Sequence, residues 1–371
     1  MAGFNNNNMP LQKSESMGNR ALGLDIIRVA LALMVFVFHS QMHFGCYYYW
    51  LNDFVQMATM VMTAFFILSG YSLHLSSSHK NLANAKDIKR FYIKRLVAIL
   101  PLYYAVALLK VCMDVIVGKS TLIEMAVLFP VELFALQSTF TTLFSYSHNG
   151  GTWFISCIII CYIAYPFIQN LFLQLSIKTK IIILLVLCGI LIYAPFIQHY
   201  FHLNKVSVYT SPFYRLIEFT IGVIIAQINT ANVESKLLAI IRKPLSCFVF
   251  LIVLVMMASM WRRLGLPNDY MIFNVVAVPC FIVIMMSLGS MRLNKMRNPV
   301  FLIYLSSISY AFFLVQVLPL WRVSGYLCGL IGIESNIIRI LVSFSICLIG
   351  AVALHHSVEK PAITYLKKKL L

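Results

Sequence analysis

Residues Ala21 to Phe44 read ALGLDIIRVALALMVFVFHSQMHF. A helix crosses a bilayer with roughly 20 mostly apolar residues, and this stretch is long enough. It also carries Asp25, Arg28 and His39. Ionisable groups inside a membrane are costly and persist where they pair or do chemistry. Ten residues separate Arg28 from His39. At about 1.5 Å of rise per residue the two stand roughly 16 Å apart along the axis. Eleven steps of about 100° return them to nearly the same face. One side of the first helix therefore carries a cation near one membrane face and an imidazole near the other. A snorkelling arginine with an interfacial histidine fits that placement as well as a functional pair does.

Composition extends the reading from one helix to the whole chain. Of 371 residues 61% are hydrophobic and only 11% are charged, against about 25% charged in a soluble domain. This is the composition of an all-α polytopic membrane protein with no separate soluble domain. The net charge of +17 resembles a nucleic-acid signal. However, Lys and Arg sit in short loops between apolar runs, which is the positive-inside pattern. No nucleic-acid partner is expected; the bilayer is the partner. The nine cysteines lie mostly within apolar runs, with Cys157 and Cys161 one helical turn apart. They read as small buried hydrophobes, not as a metal site or disulfide framework. No metal is expected, and neither a phosphate loop nor a Gly-x-Ser-x-Gly elbow occurs. Residues 1–20 form a polar, Asn-rich tail that is expected to be disordered. No cleavable signal is expected, so the first span would serve as its own insertion signal.

Taken in order, ten spans are expected: 21–44, 54–75, 95–117, 152–173, 181–197, 212–228, 245–261, 270–288, 299–320 and 337–357. The aromatic run CYYYW at Cys46 to Trp50 suits a membrane interface. The segment 121–140 is moderately apolar but contains Glu124, Pro130 and Glu132, and loop charge decides against its crossing. With ten spans and the N-terminus inside, 20 Lys/Arg are cytoplasmic, five are outside and four lie within spans. Were 121–140 to cross, every later loop would change sides and the bias would reverse. The segment is therefore expected to lie on the outer face or to dip in and return. The chain divides into a tail at 1–20, a membrane domain at 21–361 and a basic cytoplasmic tail at 362–371, with both termini cytoplasmic.

In that orientation Arg28 lies toward the cytoplasm and His39 toward the outer face. Lys89, Arg90, Lys94 and Arg95 flank the inner surface, and a cationic mouth suits a phosphorylated ligand. The imidazole is suited to act as a base on a hydroxyl. Acyl transfer across the membrane and movement of an anionic substrate both fit these residues.

Seven stretches in register carry a resemblance. They are Gly23-Leu-Asp-Ile-Ile-Arg28 with His39 after ten residues, Phe65-Phe66-Ile-Leu-Ser69-Gly70-Tyr71, Phe91 to Pro101-Leu-Tyr through Arg95, and Trp153-Phe-Ile-Ser156 with Tyr162 and Pro166. Arg215-Leu-Ile-Glu218-Phe219 with Gly222, Ser309-Tyr310-Ala-Phe-Phe-Leu314 and Glu359-Lys-Pro361 complete the series. In order and spacing the chain resembles the acyltransferase-3 family of membrane O-acyltransferases. It departs from the common pattern at Ala98, Ile158 and Gln316, as a divergent branch would.

The resemblance implies a bacterial inner-membrane enzyme. It would move acetyl from cytoplasmic acetyl-CoA, a co-substrate, to a sugar hydroxyl of a cell-envelope or surface polysaccharide or of its lipid-linked precursor. Arg28, Arg95 and the neighbouring Arg90 would hold CoA phosphates, and His39 would be the base. His148, Trp153, Arg215 and Glu218 are the candidates for binding the glycan acceptor. Against this, Arg215 and Glu218 at i, i+3 also suit a purely structural ion pair, and His148 a plain loop. The wider group includes members that export polysaccharide, so a transporter of a polysaccharide or lipid-linked sugar is the alternative.

Overall fold

The computed structural model describes residues 21–78, 82–116, 118, 121–139, 150–202, 208–231, 233–261, 263–266, 271–291, 299–316 and 319–371. Among them there is no strand, and the architecture is an all-α polytopic membrane protein. In chain order the helices are α1 (Leu22–Phe44), α2 (Val61–Ser77), α3 (Ala85–Ile116), α4 (Leu122–Leu133), α5 (Trp153–Leu173), α6 (Ile177–Tyr200) and α7 (Pro212–Thr230). Then come α8 (Lys236–Ile241), α9 (Pro244–Trp261), α10 (Asn274–Gly289), α11 (Val300–Gln316), α12 (Pro319–Leu330), α13 (Asn336–Leu354) and α14 (Lys360–Leu370). A short helix, Asn52–Gln56, and a 3-10 stretch lead into α2.

Each of the ten expected spans overlaps one of these helices over most of its length. Among the described residues seven helical stretches are long and apolar enough to cross a membrane. They are α1, the Tyr49–Ser77 stretch ending in α2, α3, α5, α6, α9 and the Asn336–Leu370 stretch that opens with α13. Helices α10 and α11 are apolar but shorter. Helix α7 has 19 residues and carries Arg215 and Glu218.

Helix direction bears on the doubtful segment. Thr63 of α2 donates to Glu218 of α7, and Asn229, near the end of α7, donates to Tyr71, further along α2. The two helices therefore run parallel. Arg28 with Ser306 and His39 with Gln316 show the same for α1 and α11. If the ten segments cross in turn, both parallel pairs require an even number of reversals between their members. A crossing at α4 would make both pairs antiparallel. Helix α4 has 12 residues, about 18 Å of rise against a hydrocarbon core of roughly 30 Å. Its start is set by a capping box between Thr121 and Glu124.

The packing centre is the α2–α7 crossing. A Cβ on Gly70 would land on the carbonyl oxygen of Phe219, and one on Gly222 on that of Ile67. In a membrane, small residues let helix backbones approach this closely and dispersion replaces the hydrophobic drive. Helix α7 is buried along nearly its whole length from Pro212 to Ile228. Ser211 caps it by accepting from the Tyr214 amide, and Pro212 opens it. Helices α6 and α9 lie at the periphery, exposing Ile182, Leu185, Val186, Leu245, Phe248 and Met256. Such faces are expected to meet lipid. A π-turn, His355–Glu359, joins α13 to α14 and turns Glu359 inward.

Candidate active site

A cavity of about 440 Å³ lies between α1, α2, α3, α5 and α11. One face of α2 lines it from Met62 through Phe65, Ser69 and Ser72 to Ser76. Fourteen steps along a helix extend about 21 Å. Polar groups gather at the Ser76 end, where Arg28, Arg95 and Glu359 all contribute to the lining. Arg28 Nη2 reaches Ser72 Oγ at 3.4 Å, and Arg95 Nη2 reaches Ser76 Oγ at 3.0 Å. Because Ser72 and Ser76 are four residues apart, α2 sets the two guanidiniums about one turn from each other. Toward Met62 the wall becomes aromatic and apolar, with Phe65, Phe66, Phe154, Ile158, Tyr162 and Phe313. The cavity is thus a charged mouth on an apolar throat.

The two arginines are held differently. Arg28 Nη1 donates to Asp25 Oδ1 at 3.1 Å and to Ser306 Oγ at 2.9 Å. Asp25 is buried and also accepts from Ser306 Oγ at 2.6 Å. The buried carboxylate thus neutralises much of the charge on Arg28 while fixing its orientation. Arg95 lies over the Phe91 ring at 5.6 Å, its Nη2 meets only serine hydroxyls, and its buried Nε has no acceptor among the described residues. Its charge remains available to a ligand. Glu359 is buried at the mouth and accepts from His355 Nδ1 at 2.7 Å. Arg90 is exposed and is not part of the lining.

His39 is not among the lining residues either. It sits further along α1, with Nδ1 3.4 Å from Gln316 Oε1 and its ring centroid 5.9 Å from that of His43. Gln316 is fully buried and lies one turn beyond Phe313, which does line the cavity. Arg28 and His39 therefore face the same neighbour, α11, as their eleven-residue offset predicts. Of α1 only Arg28 lines the cavity, while the α11 lining runs through Ser309 and Tyr310 to Phe313, in the direction of Gln316.

Three of the proposed acceptor residues form one cluster. Arg215 is fully buried, and its Nη1 donates to both carboxylate oxygens of Glu218 at 2.7 Å. Its Nε donates to the Tyr209 carbonyl at 2.8 Å. The rings of Phe66, Trp153, Tyr209 and Tyr214 surround it at 4.9 to 5.7 Å. Thr63 donates to Glu218 from α2. Trp153 is buried and stacks on Phe66, which belongs to the throat. The cluster sits beside the throat wall, with no open face on the cavity. His148 lies outside the described residues.

Several residues of the arrangement are not apparent from sequence as site members. Asp25 stands at i−3 from Arg28, a spacing that signals pairing on a helix. Ser306, Gln316 and Glu359 come from distant elements. No His, Cys, Asp or Glu cluster able to hold a metal occurs among the described residues.

A family model described as an acyltransferase domain matches residues 22–356. Neither the curated proteins nor the solved structures include a match to the chain.

Proposed function

We propose that this chain, a membrane O-acyltransferase that belongs to the matched acyltransferase family, transfers acetyl from acetyl-CoA to a sugar hydroxyl. The acceptor is a cell-envelope or surface polysaccharide or its lipid-linked precursor, and the site is the bacterial inner membrane with both termini cytoplasmic. The observation that carries the reading is the cavity: two guanidiniums at its mouth and an apolar throat whose α11 wall reaches Phe313, one turn before Gln316, the partner of His39. Arg95 and Arg28 hold phosphates at the mouth, where charge-assisted hydrogen bonds are strong. The pantetheine arm occupies the throat, and its thioester is presented toward His39. Roughly 16 Å between Arg28 and His39 suits that division of labour.

In the reaction the acceptor oxygen bonds to the thioester carbonyl carbon while its proton passes to His39. The carbon–sulfur bond then breaks, and the departing thiolate recovers that proton from the imidazolium. The products are the O-acetyl sugar and the free thiol. Arg215 and Glu218 brace Trp153 and Phe66 beside the throat. Glycan analysis of a strain lacking the gene tests the reading. An exported glycan that has lost its ester supports it, and a missing surface glycan instead supports an exporter.

A further inference from the structure

We infer that Gln316 is a positioning residue that fixes the tautomer of His39, so that Nδ1 carries the ring proton and Nε2 receives the proton of the acceptor hydroxyl. This rests on the reading of His39 as the base and names the atom and the residue that sets it.

The Gln316 amide is engaged at both ends. Its Nε2 lies 3.4 Å from the carbonyl oxygen of Ala32, and its Oε1 lies 3.4 Å from His39 Nδ1. A carbonyl oxygen only accepts, so the amide nitrogen must face Ala32. Turning the amide over would set two acceptors against each other in a fully buried site, where an unmatched polar group is costly. The orientation of Gln316 is thereby settled, and its Oε1 faces the imidazole. That oxygen also only accepts, so Nδ1 must be the donor. A neutral imidazole has one donor and one acceptor nitrogen, which leaves the lone pair on Nε2. His39 Nε2 makes no hydrogen bond to another described residue.

Helix geometry explains how one side chain engages both groups. The Ala32 carbonyl points up α1, and the His39 side chain leans back toward the helix start. The two groups meet from opposite directions, and Gln316 bridges them from α11. An amide orients the ring without adding a charge to the membrane interior. A carboxylate in that place would also stabilise the imidazolium, but at the expense of desolvation.

The test uses the purified full-length protein in nanodiscs with acetyl-CoA and an acceptor glycan. Histidine ring ¹⁵N spectra are compared with those of His39→Gln to assign the His39 signals. The wild-type protein is expected to show a protonated Nδ1 on His39. Gln316→Leu is expected to shift the ring toward the Nε2–H tautomer. It should also lower kcat roughly 10- to 100-fold, with KM for acetyl-CoA unchanged, since wrong-tautomer losses reach about 10⁴ where the partner is charged. Gln316→Glu keeps the acceptor and is expected to retain Nδ1–H and recover most of kcat. A protonated Nε2 in the wild-type protein overturns the inference without recourse to any variant's folding. So does wild-type kcat in Gln316→Leu when His39→Gln is inactive. An active His39→Gln overturns the base reading instead, a separate outcome from the tautomer measurement.

Discussion

Arg95→Ala probes the donor mouth more cleanly than any change at Arg28. Removing Arg28 takes the guanidinium away from the buried carboxylate of Asp25. Breaking a buried ion pair from one side costs about 3–5 kcal/mol of stability, so a loss of binding there mixes with misfolding. Among the described residues Arg95 has no such partner. Its Nη2 bonds to Ser76 and Ser77, and Ser76 has a separate bond to the Leu73 carbonyl. Truncating Arg95 therefore leaves no buried charge behind; Ser76 lines the cavity, and Ser77 is buried. A charge-assisted hydrogen bond to a phosphate contributes roughly 1.5–3 kcal/mol. The acetyl-CoA Kd should rise roughly 10- to 150-fold. Arg95→Lys should recover part of this, because an ammonium supplies the charge without the guanidinium fork. Titration calorimetry of acetyl-CoA into nanodisc-held protein reads the effect directly. Unchanged affinity in a well-folded Arg95→Ala protein would refute the assignment of Arg95 to the donor.

Arg215→Met should destabilise the fold by about 3–5 kcal/mol, because it leaves Glu218 buried and unpaired. The double change Arg215→Met with Glu218→Met should be less harmful than the single one. Thermal unfolding in detergent measures both, and additive losses would show that the pair is not acting as a unit. Topology is checked by reporter fusions after Lys178 and after Lys243, each expected to report cytoplasm; periplasmic signals at both would show that 121–140 crosses.

The spans were legible because a bilayer fixes the length of what crosses it, and apolar runs of that length have few other readings. Charge around 121–140 points away from a crossing, and if the ten segments cross in turn the parallel pairs α1–α11 and α2–α7 require the same. The Arg215–Glu218 pair was legible from its i, i+3 spacing. Its aromatic cage was not, because Phe66, Trp153 and Tyr209 arrive from separate parts of the chain. Gln316 appeared in the sequence only as a departure from a motif. Its meaning depends on the fold bringing α11 beside α1 across a separation of 277 positions. Glu359 reaches the mouth through the π-turn after α13, an irregularity that no hydrophobic periodicity announces. Local spacing showed pairs within one helix, and the contacts between helices became visible only in the fold.

The role of His39 as the base is read from the transfer rate of purified His39→Gln. Glutamine retains size and hydrogen bonding but cannot titrate, so this protein should insert and bind acetyl-CoA as the wild type does. Losing a general base costs about 10²–10⁴ in rate, and transfer to the acceptor should fall by that factor. His43→Gln, one turn outward, is the control and should stay close to wild type. Acetyl transfer by His39→Gln at the wild-type rate would show that His39 is not the base.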